Sequence, residues 1–116
     1  MQNTEVKISS ILKQLAILPN LLGYHYLKEA IDMMLKDSTV IGLGVTKVMY
    51  PSIANKFNTT PNRVERAIRH AVERSFIYGD IDLIETIFGY GVSPNRGKAT
   101  NSEFIGCVSE HIKLTQ

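Results

Sequence analysis

The stretch from about Pro61 to Phe76 constrains this chain more than any other part of it. Val64, Ala67, Ile68, Ala71, Val72 and Ser75 recur at three- and four-residue spacing, which places them on one face of an α-helix. Asn62, Arg63, Glu65, Arg66, Arg69, His70 and Glu73 fall on the opposite face. Such a helix must bury one side and leave the other to water or to a partner. Thr60-Pro61 marks its start, because Thr caps helix N-termini and Pro fits the first turn, where a missing N–H costs nothing. Before it, Asn58-Thr59-Thr60 interrupts a shorter helical pattern that opens at Pro51 and sets Ile53, Ala54 and Phe57 inward. Asn tolerates the left-handed backbone such a break needs. Short helix, three-residue break, long helix: over about residues 51–76 these are the proportions of a helix-turn-helix.

The rest of the chain supplies helices to cover the apolar face. Ile8, Ile11, Leu12, Leu15 and Leu18 predict a first helix ending at Pro19. Tyr24, Leu27, Ala30, Ile31, Met34 and Leu35 predict a second, ending near Asp37-Ser38, and a short piece follows from about Val45 to Met49. Gly79 ends the long helix. Asp80 caps the next, with Ile81, Ile84, Ile87 and Phe88 inward, and Gly89 stops it. Tyr90 to Ala99 reads as a loop. Thr100-Asn-Ser-Glu103 is a capping-box pattern opening a last helix, with Phe104, Ile105, Val108 and Ile112 inward. Tyr24, Tyr26, Met33, Met34, Tyr78, Phe88 and Tyr90 are assigned to the core or its rim, and His25 to packing or the surface. No alternating strand pattern of useful length occurs. The expectation is one all-α domain over residues 1–116, with six or seven helices and an embedded helix-turn-helix.

Charge is concentrated where the pattern is most distinctive. From Val45 to Phe76 six basic residues (Lys47, Lys56, Arg63, Arg66, Arg69 and Arg74) stand against Glu65 and Glu73, a local charge of +4 in a chain of net charge +2. The remainder is therefore at −2, so one third of the chain holds the positive charge. The single cysteine, Cys107, excludes an internal disulfide and fits a reducing compartment. No apolar run approaches the ~18 residues of a membrane span, and the N-terminus lacks a basic-then-apolar leader. A cytoplasmic protein without a membrane partner is expected.

The polar face of the long helix carries groups suited to base edges. Arg offers a planar pair of donors that matches guanine O6 and N7, and Glu accepts from the cytosine amino group. Arg66 and Arg69 lie one turn apart, flanked by Glu65 and His70, and Arg63 near the helix start reaches a base or a phosphate. Thr59, Thr60 and Asn62 sit where backbone N–H groups and the helix dipole favour a phosphate. Lys47 and Lys56 are further phosphate candidates. Periodicity alone leaves a second reading open, a solvated face laced with ion pairs such as Glu65–Arg69 and Arg66–Glu73. A helical interaction module that never binds DNA would look the same, whereas RNA modules usually present stacking aromatics, which this face lacks.

Enzyme patterns fail. Gly97-Lys98 resembles the end of a phosphate-binding loop, but Val92 stands where its first Gly belongs and no strand precedes it. Cys107 and His111, four apart on a helix, are two metal ligands without partners and lack an orienting third group for nucleophilic chemistry. No enzyme activity, metal or cofactor is expected.

The run from Asn58 to Glu73 (Asn-Thr-Thr-Pro-Asn-Arg-Val-Glu-Arg-Ala-Ile-Arg-His-Ala-Val-Glu) decides between the open readings. It closely resembles the C-terminal DNA-binding domains of the sporulation response regulators called stage zero sporulation protein A, from endospore-forming bacteria. The likeness extends through Gly23 to Ala30, Thr46 to Pro51, Ile53 to Asn58 and Thr100 to Ile105, so it covers nearly the whole chain. The resemblance implies a six-helix fold with an embedded helix-turn-helix, reading short TGTCGAA boxes in double-stranded DNA, often in tandem, to activate some promoters and repress others. It implies that Glu65, Arg66, Arg69 and His70 face the DNA, with the arginines on bases. It also implies that the segment from about Gly79 to Val92 touches the sigma subunit of RNA polymerase. Here that segment carries Asp80, Asp82 and Glu85, which a plain capped helix would equally explain. Weak head-to-tail self-contact on tandem boxes is implied too. The full-length form begins with a phosphorylated receiver domain. Nothing in this chain has a receiver's alternation of strands and helices, so it reads as the effector half alone.

Overall fold

A computed structural model describes residues 3–37, 44–89 and 97–115. It contains six α-helices: α1 (Thr4–Gln14), α2 (Leu22–Lys36), α3 (Tyr50–Lys56), α4 (Pro61–Tyr78), α5 (Ile81–Phe88) and α6 (Asn101–Leu114). A π-helical segment, Val45–Met49, runs directly into α3. No strand occurs among the described residues, so the class is all-α.

Several boundaries follow from cap chemistry. Thr60 Oγ1 accepts from the Arg63 amide at 3.2 Å to start α4. Asp80 Oδ1 accepts from the Leu83 amide at 2.9 Å to start α5. Thr100 and Glu103 form the reciprocal capping box of α6. The wide turn before α3 has a cause at Pro51. Proline has no N–H, and in a tight helix its ring meets the carbonyl four residues back. The Tyr50 amide instead reaches the Val45 carbonyl, five residues back, and the preceding turn opens.

The first helix ends earlier than its pattern implies. α1 stops at Gln14, and Ala16 takes a left-handed backbone (φ 62). Ile17 then donates to the Leu12 carbonyl at 2.9 Å and Ala16 to that of Lys13 at 3.0 Å, which is the Schellman arrangement. This reversal turns Ile17 into the core beside Leu12 and throws Leu18 outward, 43% exposed. The inward placement of Leu18 is thereby corrected.

α2 lies at the centre and packs on α4, α6 and α1. It crosses α4 tightly: a Cβ on Gly23 would lie 2.5 Å from the Ala67 carbonyl oxygen. Leu27 and Ile31 of α2, Ile53 of α3, Ile68 of α4, and Phe104, Ile105 and Ile112 of α6 are fully buried around it. Phe88 bridges Phe76 and Phe104, with ring centroids 5.2 Å apart on each side, and this seats α5 against α4 and α6.

Three further inward assignments are corrected. Phe57 is 38% exposed, because it caps α3 at the mouth of the break, although its ring still meets Tyr26 edge-on. Tyr78 and Ile81 are 65% and 81% exposed, since both stand at the open corner where α4 gives way to α5. The expected loop over residues 90–96, Tyr90 as a rim residue and the helix end at Ser38 lie outside the described residues.

Candidate nucleic-acid interface

The helix-turn-helix is built by one asparagine. Asn58 adopts a left-handed backbone (φ 54) immediately after α3. Thr59 donates to the Ala54 carbonyl at 2.9 Å, closing the same Schellman arrangement that Gly usually closes. The chain then restarts at Thr60-Pro61, and α4 leaves at an angle fixed by that turn.

α4 buries Val64, Ile68, Ala71, Val72 and Ser75. Asn62, Arg63, Arg66, Arg69 and His70 are exposed on its other side. Both faces fall where the periodicity puts them. Glu65 sits at the margin. Its Oε2 lies 3.3 Å from Arg69 Nε, yet that oxygen is buried and accepts no hydrogen bond. The pair is therefore held by charge across a partly exposed gap, a contact worth at most ~1 kcal/mol. Glu73 pairs with Lys98 at 3.5 Å instead of with Arg66.

Around this face the candidate phosphate contacts differ in how committed they are. Lys47 is exposed on the π-helical segment. Thr59 is half-buried, and Thr60 already accepts the capping bond. The first-turn amides of α4 and the positive end of its dipole make this terminus hospitable to an anion. Lys56 is exposed but lies 2.8 Å from Glu29 Oε2, so a phosphate would compete with that carboxylate. Arg74, although part of the basic segment, is structural: its Nε donates to the Ala16 carbonyl at 3.1 Å and its guanidinium lies over the Tyr78 ring. The bond clamps α4 to the end of α1.

On α5, Asp80 spends its carboxylate on the cap while Asp82 and Glu85 are exposed. Residues 90–92 of the segment assigned to a sigma contact lie outside the described residues. Cys107 and His111 are both half-buried. Burial, then the charge of Glu103, pushes the Cys107 thiol up; burial, then Lys7, pushes His111 down. Among the described residues no group of three His, Cys, Asp or Glu is placed to hold a metal ion, and no helix is long and apolar enough to cross a membrane.

Two residues at the back of the interface carry no sequence signal of their role. Asn101 Nδ2 donates to Tyr50 Oη at 2.9 Å and to the Glu65 carbonyl at 3.2 Å. Burial, more than the nearby Glu65 charge, pushes the Tyr50 phenol up against the opposing bond from Asn101, so it stays protonated. Capping logic explains Thr100 and Glu103 on either side, but the reach of Asn101 is a tertiary contact that local pattern does not encode.

A family model described as sporulation initiation factor Spo0A C terminal matches residues 8–112, a span that takes in the helix-turn-helix whole and runs from within α1 to within α6.

Proposed function

The chain belongs to the Spo0A C-terminal family, a family of DNA-binding sporulation regulators and not of enzymes, and from that premise we propose that α4 reads base edges in the major groove of a TGTCGAA-like box. The observation that carries this reading is the division of α4. One face is buried in the core, and the other presents Arg66 and Arg69 one turn apart on a rigid, capped helix. Arg66 and Arg69 donate in pairs to guanines. Glu65 exchanges its loose contact with Arg69 for a cytosine amino group, and His70 meets a base edge or phosphate. Arg63, Asn62, Thr59, Thr60 and Lys47 hold the backbone, joined by Lys56 once it leaves Glu29.

The same reading extends to partners. Bound beside a promoter, the domain activates through Asp82, Glu85 and the α5 corner against the RNA polymerase sigma subunit, and it represses where its box blocks polymerase. In the full-length protein a receiver domain governs access. Copies on adjacent boxes touch weakly, head to tail. Fluorescence anisotropy tests the core of the proposal, using a duplex containing TGTCGAA and a scrambled duplex at two salt concentrations. A preference of ~10³ or more is expected. Equal, salt-sensitive binding to both duplexes would reduce the face to a phosphate holder and end the base-reading assignment.

A further inference from the structure

We propose that Asn101 is a positioning residue for sequence readout: the first residue of α6 fixes α4 against α3, and thereby sets where Arg66 and Arg69 arrive at the bases. The proposal rests on the reading of α4 given above.

Three observations converge. First, the Asn101 amide touches both helices of the helix-turn-helix at once, Tyr50 of α3 at 2.9 Å and the Glu65 carbonyl of α4 at 3.2 Å. A carbonyl only accepts, so the NH2 end of Asn101 must face Glu65, and the orientation of the amide follows from chemistry. In an α-helix the Glu65 carbonyl serves the Arg69 amide and has a second lone pair to spare. Asn101 thus grips the backbone just before Arg66, one turn from Arg69, without disturbing the helix.

Second, the gripping residue is itself held. The Thr100–Glu103 capping box closes around it, with the Thr100 amide on Glu103 Oε1 at 2.8 Å and the Glu103 amide on Thr100 Oγ1 at 3.2 Å. Ala99, just before it, is buried. Third, Lys98 of the same turn pairs with Glu73, two turns further along α4. One short turn therefore touches α4 at two points about 12 Å apart along its axis. Tyr50, the other anchor, is 5% exposed, so the α3 side of the grip is set in the core.

The consequence is selective. The phosphate contacts assigned to Arg63, Lys47 and Lys56 come from long, exposed side chains that absorb a small shift of α4. Paired bonds from Arg to guanine do not, because a planar fork needs its partner in place. Loss of the grip should cost cognate affinity and spare non-specific binding. Asn101→Ala removes it while leaving the Thr100 cap intact. Asn101→Asp is the companion variant, since it keeps the shape, suits a helix N-terminus and removes the donor facing Glu65.

Both variants and the wild type are to be titrated against the cognate and scrambled duplexes, with circular dichroism and melting recorded for each. The expected result is a fall of about tenfold in the cognate-to-scrambled ratio for both variants, with scrambled affinity within twofold of wild type and native-like spectra. Tyr50→Phe, which leaves the Glu65 bond, should fall in between. An unchanged ratio in whichever Asn101 variant keeps a native-like spectrum would overturn the positioning role while leaving base reading intact. A wild type with no cognate preference would overturn both, so the two failures are distinct.

Discussion

Gly23→Ala tests whether the approach of α2 to α4 is as tight as its geometry demands. Gly23 is the second residue of α2, and a methyl there would lie 2.5 Å from the Ala67 carbonyl oxygen and 2.7 Å from the Ala71 Cβ. Ordinary contact begins near 3.4 Å, so the two helices must part by about 0.9 Å at this point to accept it. The obstacle is backbone, and no rotamer change relieves it. Overpacking of this kind costs ~1–3 kcal/mol. Replacing Gly by Ala in a helix returns at most ~1 kcal/mol through propensity. The net expectation is a loss of roughly 1–2 kcal/mol, or about 5–10 °C in Tm for a domain of this size. Because the residue displaced is Ala67, between Arg66 and Ile68 on α4, cognate DNA affinity should fall further than scrambled affinity in anisotropy titrations. Thermal melting by circular dichroism gives the decisive reading. A variant that melts at or above the wild-type temperature would mean that propensity outweighs the clash, and the close crossing would be refuted.

Four further outcomes are expected. Ala16→Gly should raise stability by ~1 kcal/mol in urea unfolding, because Ala at φ 62 bears the left-handed penalty that Gly escapes; a loss would mean that the position is unstrained. Thr60→Ala should cost ~1 kcal/mol by removing the cap on the Arg63 amide, and should weaken both duplexes by loosening the first turn of α4. His111 is held below its usual 6.5 by burial and by Lys7, so the unfolded chain takes up its proton first. Its contribution is full above about pH 6.5 and is lost as pH falls through the lower folded value, a slope that a matched series of His111→Gln melts should lack. Cys107, with its thiol pushed up by burial, should react with a disulfide reagent at pH 7.5 far more slowly in the native protein than in guanidinium; equal rates would show an open thiol.

Much of this architecture is local, and local features are what a sequence displays. Thr60, Asp80 and Thr100 cap the helices they precede because their side chains bond to amides three residues on. Asn58 takes the left-handed turn for a reason written in its own side chain. The two faces of α4 follow from a 3.6-residue period alone. What the pattern misplaces is decided at a distance. Ala16 has no intrinsic preference for φ 62, and it is turned there so that Ile17 enters the core in place of Leu18. Tyr78 and Ile81 obey helical spacing yet lie exposed at the corner between α4 and α5, among the described residues. Asn101 stands in a capping motif that explains its neighbours and is silent about its own bonds to Tyr50 and Glu65.

The ion pairs also bear on how the domain tells one sequence from another. Of the six basic residues between Val45 and Phe76, Lys56 is held by Glu29, Arg69 by Glu65 and Arg74 by the Ala16 carbonyl. Among the described residues, Lys47, Arg63 and Arg66 have neither an ion pair nor a side-chain hydrogen bond of this kind. Three cations on phosphate would give a salt slope near −3, since each neutralised phosphate contributes about −0.9. If Arg66 is spent on a base, the slope is shallower still. With Lys56 and Arg69 already paired to carboxylates within the protein, a low non-specific affinity is expected. If α4 reads bases as proposed, Arg69 gives up only a weak surface pair to leave Glu65, and a cognate box would compensate both partners at once, guanine for the arginine and cytosine for the glutamate. A phosphate compensates only the arginine and leaves the Glu65 carboxylate beside an anion. On the proposed reading, pairing Glu65 with Arg69 penalises the wrong ligand more than the right one, a way for a domain of net charge +2 to discriminate without gripping DNA at large.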